Sequence, residues 1–224
     1  MTAWSRTVVA VDGPAGSGKS SVSRAAAREL GFAFLDTGAA YRALAWLALE
    51  RGIDLDDETA VFALLGHWNY RISTAPDQVQ VWVEATEVTQ QIRETRVSSV
   101  VSSVARVPAV REALSQHFRM ILDEGGAPGV IAEGRDITTV VAPDADVRVL
   151  LTASETVRLA RRAGELGSVS AEDLAAQVTE RDRRDSQVVD FMTAADGVTT
   201  IDSSDLTFDQ TVQALVGLVK ALPR

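Results

Sequence analysis

The 224-residue sequence contains no cysteine, which excludes disulfides, thiol nucleophiles and cysteine-ligated zinc. A reducing compartment fits that absence without being required by it. Lysine is nearly absent too. Lys19 and Lys220 are the only two, so almost all positive charge is arginine. No apolar run reaches the roughly 18 residues that span a bilayer. Met1 to Arg6 is too short a lead for a signal peptide, and cleavage further in would remove the apolar run Thr7 to Val11. The expectation is a cytoplasmic chain that makes no membrane contact. Positive charge is also outweighed overall: the formal net charge is −9. That argues against a general nucleic-acid binder, which needs a basic surface to release phosphate counterions.

What is present is ordinary globular material, 46% hydrophobic and 24% charged. A chain of this length can bury a core without a disulfide or metal staple. The arginine excess has two explanations, a compositional preference of the source or bidentate grip on phosphates. Position has to decide which arginines are special.

Thr7 to Val11 reads as a buried β-branched strand running into Asp12-Gly13. Ser20 to Leu30 has helical spacing closed by Gly31. Phe32 to Leu35 reads as a second strand, followed by Asp36-Thr37-Gly38 and a helix from Tyr41 to Glu50. Trp68–Ile72 and Val79–Val83 alternate around a turn-rich stretch and predict a hairpin. Val88, Ile92, Val97, Val100, Val101 and Val104 follow at helical spacing. Pro108 opens a further helix with Val110, Leu114, Phe118 and Leu122 as its stripe. Val130–Ala132, Val147–Leu151 and Thr199–Ile201 read as strands. Thr152 with Glu155 predicts a capping box for a helix through Leu166, and Thr207 with Gln210 another for the last helix. Ser170 and Asp173 predict the start of a helix reaching about Asp185. Short apolar strands alternating with helices specify an α/β fold, a parallel sheet with helices on both faces. No internal repeat or low-complexity segment interrupts it.

Gly13-Pro14-Ala15-Gly16-Ser17-Gly18-Lys19-Ser20 fits G-x-x-x-x-G-K-[ST] between the first strand and the first helix. Glycines let backbone N–H groups turn inward around an anion, and the helix N-terminus adds its positive end. Lys19 is placed to bridge the β- and γ-phosphates of ATP, and the Ser20 hydroxyl to ligate Mg2+. The ATP-binding candidates are therefore residues 13–20 with Ser21. Further on, Arg158, Arg161 and Arg162 fall at i, i+3 and i+4 and share a helix face. Such like charges repel by a few tenths of a kcal/mol per pair, which an arriving polyphosphate would relieve. A solvated face balanced by Glu155 and Glu165 is the other account.

The acceptor is suggested by a combination of segments. Val11–Ser20, then Leu35-Asp36-Thr37-Gly38-Ala39-Ala40-Tyr41-Arg42, then Glu133-Gly134-Arg135-Asp136, then Glu180-Arg181-Asp182-Arg183-Arg184-Asp185-Ser186 resemble, in that order, the bacterial cytidylate kinases. The resemblance runs from about Val8 into the final helix. It implies a P-loop three-layer αβα core with a parallel sheet (residues 1–52, 108–156 and 187–224). It further implies an inserted domain for the nucleoside monophosphate at about 53–107 and a helical lid at about 157–186. By matching positions, Arg42 and Arg135 would bind the CMP phosphate, and Ser102, Arg111 and Asp136 would read cytosine. Arg181 and Asp185 would face the sugar and phosphate, and Thr37 and Tyr41 would line the pocket wall. Lys19, Arg158, Arg161 and Arg162 would stabilise the transferring group. ATP and CMP or dCMP are the implied substrates, Mg2+ the implied cofactor and a monomer the implied state, with no nucleic-acid partner. Two departures stand out. Val188 falls in the stretch where the family has a further arginine, and Glu133 stands where aspartate is common.

Two other functions remain open from the residues alone. One is a kinase for a hydroxyl acceptor such as shikimate or gluconate, with Asp36 as base. The long insert argues against it. The other is a regulatory P-loop ATPase indifferent to monophosphates.

Overall fold

The computed structural model describes residues 4–166, 183, 186 and 189–223, without the side chains of residues 162–166. Five parallel strands form the central sheet. They are β1 (Thr7–Asp12), β2 (Ala33–Asp36), β6 (Gly129–Gly134), β7 (Val147–Thr152) and β8 (Thr199–Asp202), in the order β2-β6-β1-β7-β8. The two-residue period of β1 feeds two cores. Val8 and Ala10 pack on one face with α2 (Thr37–Glu50) and α6 (Pro108–Asp123). Val9 and Val11 pack on the other with α1 (Lys19–Leu30) and α8 (Phe208–Lys220). The layers are helix, sheet, helix, as the alternation of elements predicts.

Caps set the helix ends. Gly31 ends α1 in the left-handed region at φ 68°. Thr207 and Gln210 form the predicted reciprocal capping box of α8. Thr152, by contrast, belongs to β7, so its expected box does not form. The helix α7 (Glu155–Leu166) is preceded instead by Ser154, whose Oγ accepts from the Val157 N–H at 3.4 Å. The helix α2 begins four residues before the expected Tyr41, because the Asp36 carboxylate accepts from Ala39 N at 2.9 Å and caps it there. The predicted helix from Ser170 to Asp185 lies outside the described residues, apart from Arg183.

Residues between α2 and α6 build a separate three-stranded antiparallel sheet, β3 (Tyr70–Ile72), β4 (Val81–Val83) and β5 (Thr86–Glu87). The hairpin was legible; the third strand and α3 (Glu58–Ala63), capped by Asp57, were not. The hairpin turn reaches back to the core, where Phe34 N on the edge strand β2 donates to Thr74 O at 2.9 Å. The valine stripe from Val88 to Val104 does not form one helix. It breaks into a 3-10 turn Gln91–Arg93, α4 (Thr95–Ser98) and α5 (Val101–Ala105). β-branched residues and serine pairs support a continuous helix poorly, and Glu94 turns to an extended ψ of 149° between the first two pieces. Burial still follows the stripe: Val88, Ile92, Val97 and Val104 are wholly buried.

Candidate active site

The carboxyl ends of β1, β2 and β6 open into one cavity of about 490 Å³, within the usual size for a small-molecule site. At one end lies the glycine loop. Gly18 caps α1 with φ 88° and no side-chain acceptor, so the first amides of the helix are left to an anion. Gly16, at φ 76°, could carry no side chain: a Cβ there would lie 2.5 Å from the Arg158 carbonyl. Ala15, Gly16, Gly18, Lys19, Ser20 and Ser21 line the cavity. Gly13, Pro14 and Ser17 shape the loop from behind, with Ser17 N donating to Pro14 O at 3.3 Å.

Cations ring this loop. Lys19 Nζ reaches Pro14 O at 3.4 Å and lies 4.0 Å from a Glu133 oxygen. Arg158 Nη1 donates to Ala15 O at 3.0 Å, and Arg161 Nη1 to Ser17 O at 3.1 Å. Arg161 is also held by Ser203, through its Oγ at 2.9 Å and its carbonyl at 2.8 Å. Arg158 and Arg161 thus relieve their mutual repulsion on different carbonyls. Arg162 follows on the same helix, but its side chain lies outside the description. Arg135 Nη1 donates to Gly13 O at 2.6 Å, and its guanidinium lies 4.3 Å over the buried ring of Phe191.

The other end is built from ion pairs. Asp36 accepts from Arg42 Nη2 at 2.7 Å, and Arg93 Nη2 lies 3.8 Å away. Burial opposes ionisation of Asp36. Arg42, Arg93 and the Ala39 amide outweigh it and hold the carboxyl below its ordinary pKa. Arg111 on α6 makes a short ion pair with Asp136, whose pKa burial raises against the pull of that arginine. Tyr41 and Ser102 line the same space, and burial raises the Tyr41 hydroxyl, with Asp136 adding to it. Thr37 also lines it, and its hydroxyl donates to Glu133 O at 2.7 Å. Arg181 and Asp185 lie outside the described residues.

Two carboxylates tie the ends together. Glu133 is buried and accepts from Ser20 Oγ at 2.6 Å. Burial raises its pKa, with Asp36 adding to the effect and Lys19 and Ser20 opposing it. Asp12, also raised by burial, accepts from Ile137 N, Thr138 N and Thr138 Oγ1 at 2.7–2.9 Å. It thereby fixes the π-helical turn Ile137–Val141 that follows Arg135 and Asp136. Gly134 allows Thr37 to approach, since a Cβ there would lie 2.6 Å from its Oγ1. Sequence reasoning gave Asp36 only a hypothetical role as base, noted Glu133 only as a departure, and missed Asp12, Arg93 and Phe191.

Residues 9–221 match the family model described as cytidylate kinase. The chain belongs to the cytidylate kinase family. It is 41% identical over 214 residues to the cytidylate kinase of Streptomyces avermitilis, covering 95% of this chain and 92% of that protein. With the cytidylate kinase of Cutibacterium acnes the identity is 42%, with 95% of each covered. It is also 43% identical to a bifunctional pantoate ligase/cytidylate kinase of Synechococcus sp. (strain JA-3-3Ab), where the match spans 97% of this chain and 41% of that protein. Among solved structures, an uncharacterized protein from Eubacterium ventriosum ATCC 27560 shares the fold. It matches at a TM-score of 0.51 and 10% identity, covering 97% of this chain and 99% of that one.

Proposed function

We infer that this chain transfers the γ-phosphate of ATP to CMP, and to dCMP, giving ADP and the cytidine diphosphate. The observation that carries the reading is the pairing within one cavity of a phosphate loop bearing Lys19 and an ion pair of the half-buried Arg111 with the buried Asp136. A carboxylate beside a guanidinium complements cytosine, whose exocyclic amine donates next to accepting ring and carbonyl atoms. Arg42 and Arg135 are assigned to the acceptor phosphate, with Ser102 beside the base and Thr37 and Tyr41 as walls. The resemblance adds Arg181 and Asp185 at the sugar. Residues 53–107 are proposed as the acceptor domain and 157–186 as the lid over ATP.

A nucleoside monophosphate is largely dianionic at neutral pH, so its oxygen attacks without a general base. A bond forms from that oxygen to the γ-phosphorus as the bond to the β,γ-bridging oxygen breaks, and ADP leaves. Lys19, Arg158, Arg161 and Arg162 are assigned to the charge on the transferring group, and lid closure to excluding water. Asp36 serves poorly as a base for a hydroxyl acceptor. Its oxygens are taken by Arg42 and the Ala39 amide, and its pKa is held low.

The residues fit Mg2+, a hard cation that takes oxygen ligands and keeps several of its waters. Ser20 and Glu133 would hold it, being a hydroxyl and a carboxylate already in contact. No group of three or more acidic or histidine side chains that could hold a metal alone occurs among the described residues, so nucleotide oxygens and water would complete the set. When bound, the ion supplies charge neutralisation at the β- and γ-phosphate oxygens.

The reading extends to a monomer in the cytoplasm, serving pyrimidine metabolism without a nucleic-acid partner, which the net charge of −9 supports. No helix among the described residues is long and apolar enough to cross a membrane. The test is ADP release from the purified chain with ATP, Mg2+ and each of CMP, dCMP, UMP, AMP and shikimate. CMP is expected to give the highest kcat/KM. A higher value for AMP, UMP or shikimate overturns the assignment.

A further inference from the structure

Resting on the reading of this cavity as a CMP kinase site, we propose that Phe191 is a positioning residue for the transfer, its ring setting the plane of the Arg135 guanidinium. Phe191 lies in the segment between α7 and β8, three residues beyond Val188 in the stretch where this chain departs from its family. Its neighbours Asp190 and Met192 are exposed, yet Phe191 itself is only 1% exposed. The Asp190 carboxylate accepts from Met192 N at 3.0 Å and Thr193 N at 3.1 Å, a side-chain turn that fixes the backbone on either side of the phenylalanine. Among the described residues, Phe191 belongs to neither of the two apolar cores. A buried aromatic outside the cores needs another partner, and the Arg135 guanidinium supplies it, 4.3 Å from the ring centroid.

A guanidinium can bind in two ways at once: its face stacks on an aromatic ring while its edge donates in the plane. Arg135 does both. Its Nη1 donates to Gly13 O at 2.6 Å, and Arg135 and Val189 both line the cavity. The bond to Gly13 fixes one nitrogen but permits the plane to rotate about it. The ring removes that freedom and consumes no N–H donor. Burial strengthens the stack, because water is kept from the face. Arg135 directly follows β6, so the phosphate loop and Phe191 hold it from two other segments of the chain. A bidentate phosphate contact requires such an oriented fork. An aliphatic side chain of similar volume would fill the space and leave the plane unset.

The test is steady-state kinetics of the whole chain with CMP and ATP, for wild type, Phe191→Leu, Phe191→Met, Arg135→Gln and the double variant Arg135→Gln/Phe191→Leu, each checked for folding by urea unfolding. Both replacements at 191 keep an apolar group in the space and remove the aromatic face. Each should lower kcat/KM for CMP by about 5- to 20-fold, while KM for ATP changes less than about twofold. In the Arg135→Gln background, Phe191→Leu should change kcat/KM for CMP less than about twofold, because the ring then has no cation to orient. A residue that only fills space would cost the same in both backgrounds, and that result overturns the inference. A loss below about fivefold in a folded variant overturns it too, as does an equal rise in KM for ATP. Failure of both Phe191→Leu and Phe191→Met to fold would mark a structural role and count against it equally. Wild-type protein that does not phosphorylate CMP would bring down the proposed activity together with this inference. Active wild type with no coupling between positions 135 and 191 would remove this inference alone.

Discussion

The two ends of the cavity hold their cations in different ways. Around the glycine loop, Lys19, Arg135, Arg158 and Arg161 donate to backbone carbonyls of the loop itself. At the opposite end, Arg42 and Arg111 donate to the buried carboxylates Asp36 and Asp136. A carbonyl orients a cation without cancelling its charge, as Ser17 and Ser203 do for Arg161. A carboxylate cancels it and leaves a fixed pattern of donors and acceptors. The first arrangement suits a polyphosphate, which needs net charge. The second, at Arg111–Asp136, suits a nucleobase, which needs matched hydrogen bonds; Arg42 is assigned to the acceptor phosphate.

The contrast breaks most easily at its donor end. Lys19→Ala should lower kcat/KM by about a thousandfold or more in steady-state assays, since preorganised charge at the transferring group is lost. The melting temperature should shift little, because the lysine's contacts with Pro14 O at 3.4 Å and a Glu133 oxygen at 4.0 Å are long ones. A normal turnover number in a folded variant would mean that the loop does not carry the chemistry.

At the other end the expected cost falls on stability. Asp36→Asn leaves the mostly buried Arg42 without its counter-ion and should destabilise the fold by about 3 kcal/mol at pH 7, measured by urea unfolding. The pH dependence has a definite sign. The folded pKa of Asp36 lies below its ordinary value of 3.8, so the stability it contributes is present above that value and disappears as pH falls through the folded pKa. The gap between wild type and Asp36→Asn should therefore begin to narrow below about pH 4 and shrink further as pH falls through the lowered folded pKa. A gap that does not narrow as pH falls would show that the ion pair is not its source. Smallest of all is Arg28→Ala. Its exposed pair with Asp77 links α1 to the hairpin turn and should contribute under about 0.5 kcal/mol, read from the same unfolding curves.

The same contrast explains what the sequence could convey. The glycine loop, α1 and α8 announce themselves through contiguous residues, with a glycine motif, a C-terminal glycine and a Thr207–Gln210 box. The acceptor end depends on partners far apart. Ser20 meets Glu133 across 113 residues, and Asp12 meets Ile137 across 125, which no local pattern encodes. Asp36 looked like a break after a strand, and only its cap to Ala39 shows why α2 starts there. Arg93 was hidden because the valine spacing suggested one helix where the chain makes three short pieces. The spacing located the buried face correctly but not the backbone, since Val and Ser disfavour the helix that the period describes.

Replacing Asp136 by Asn, an isosteric change, tests most directly whether the paired end selects the base. Cytosine offers an amine where uracil offers a carbonyl, and the asparagine amide can donate where the carboxylate only accepts. The wild-type ratio of kcat/KM for CMP over UMP should be at least about tenfold, and Asp136→Asn should bring it close to one. A ratio unchanged by the substitution would contradict the account.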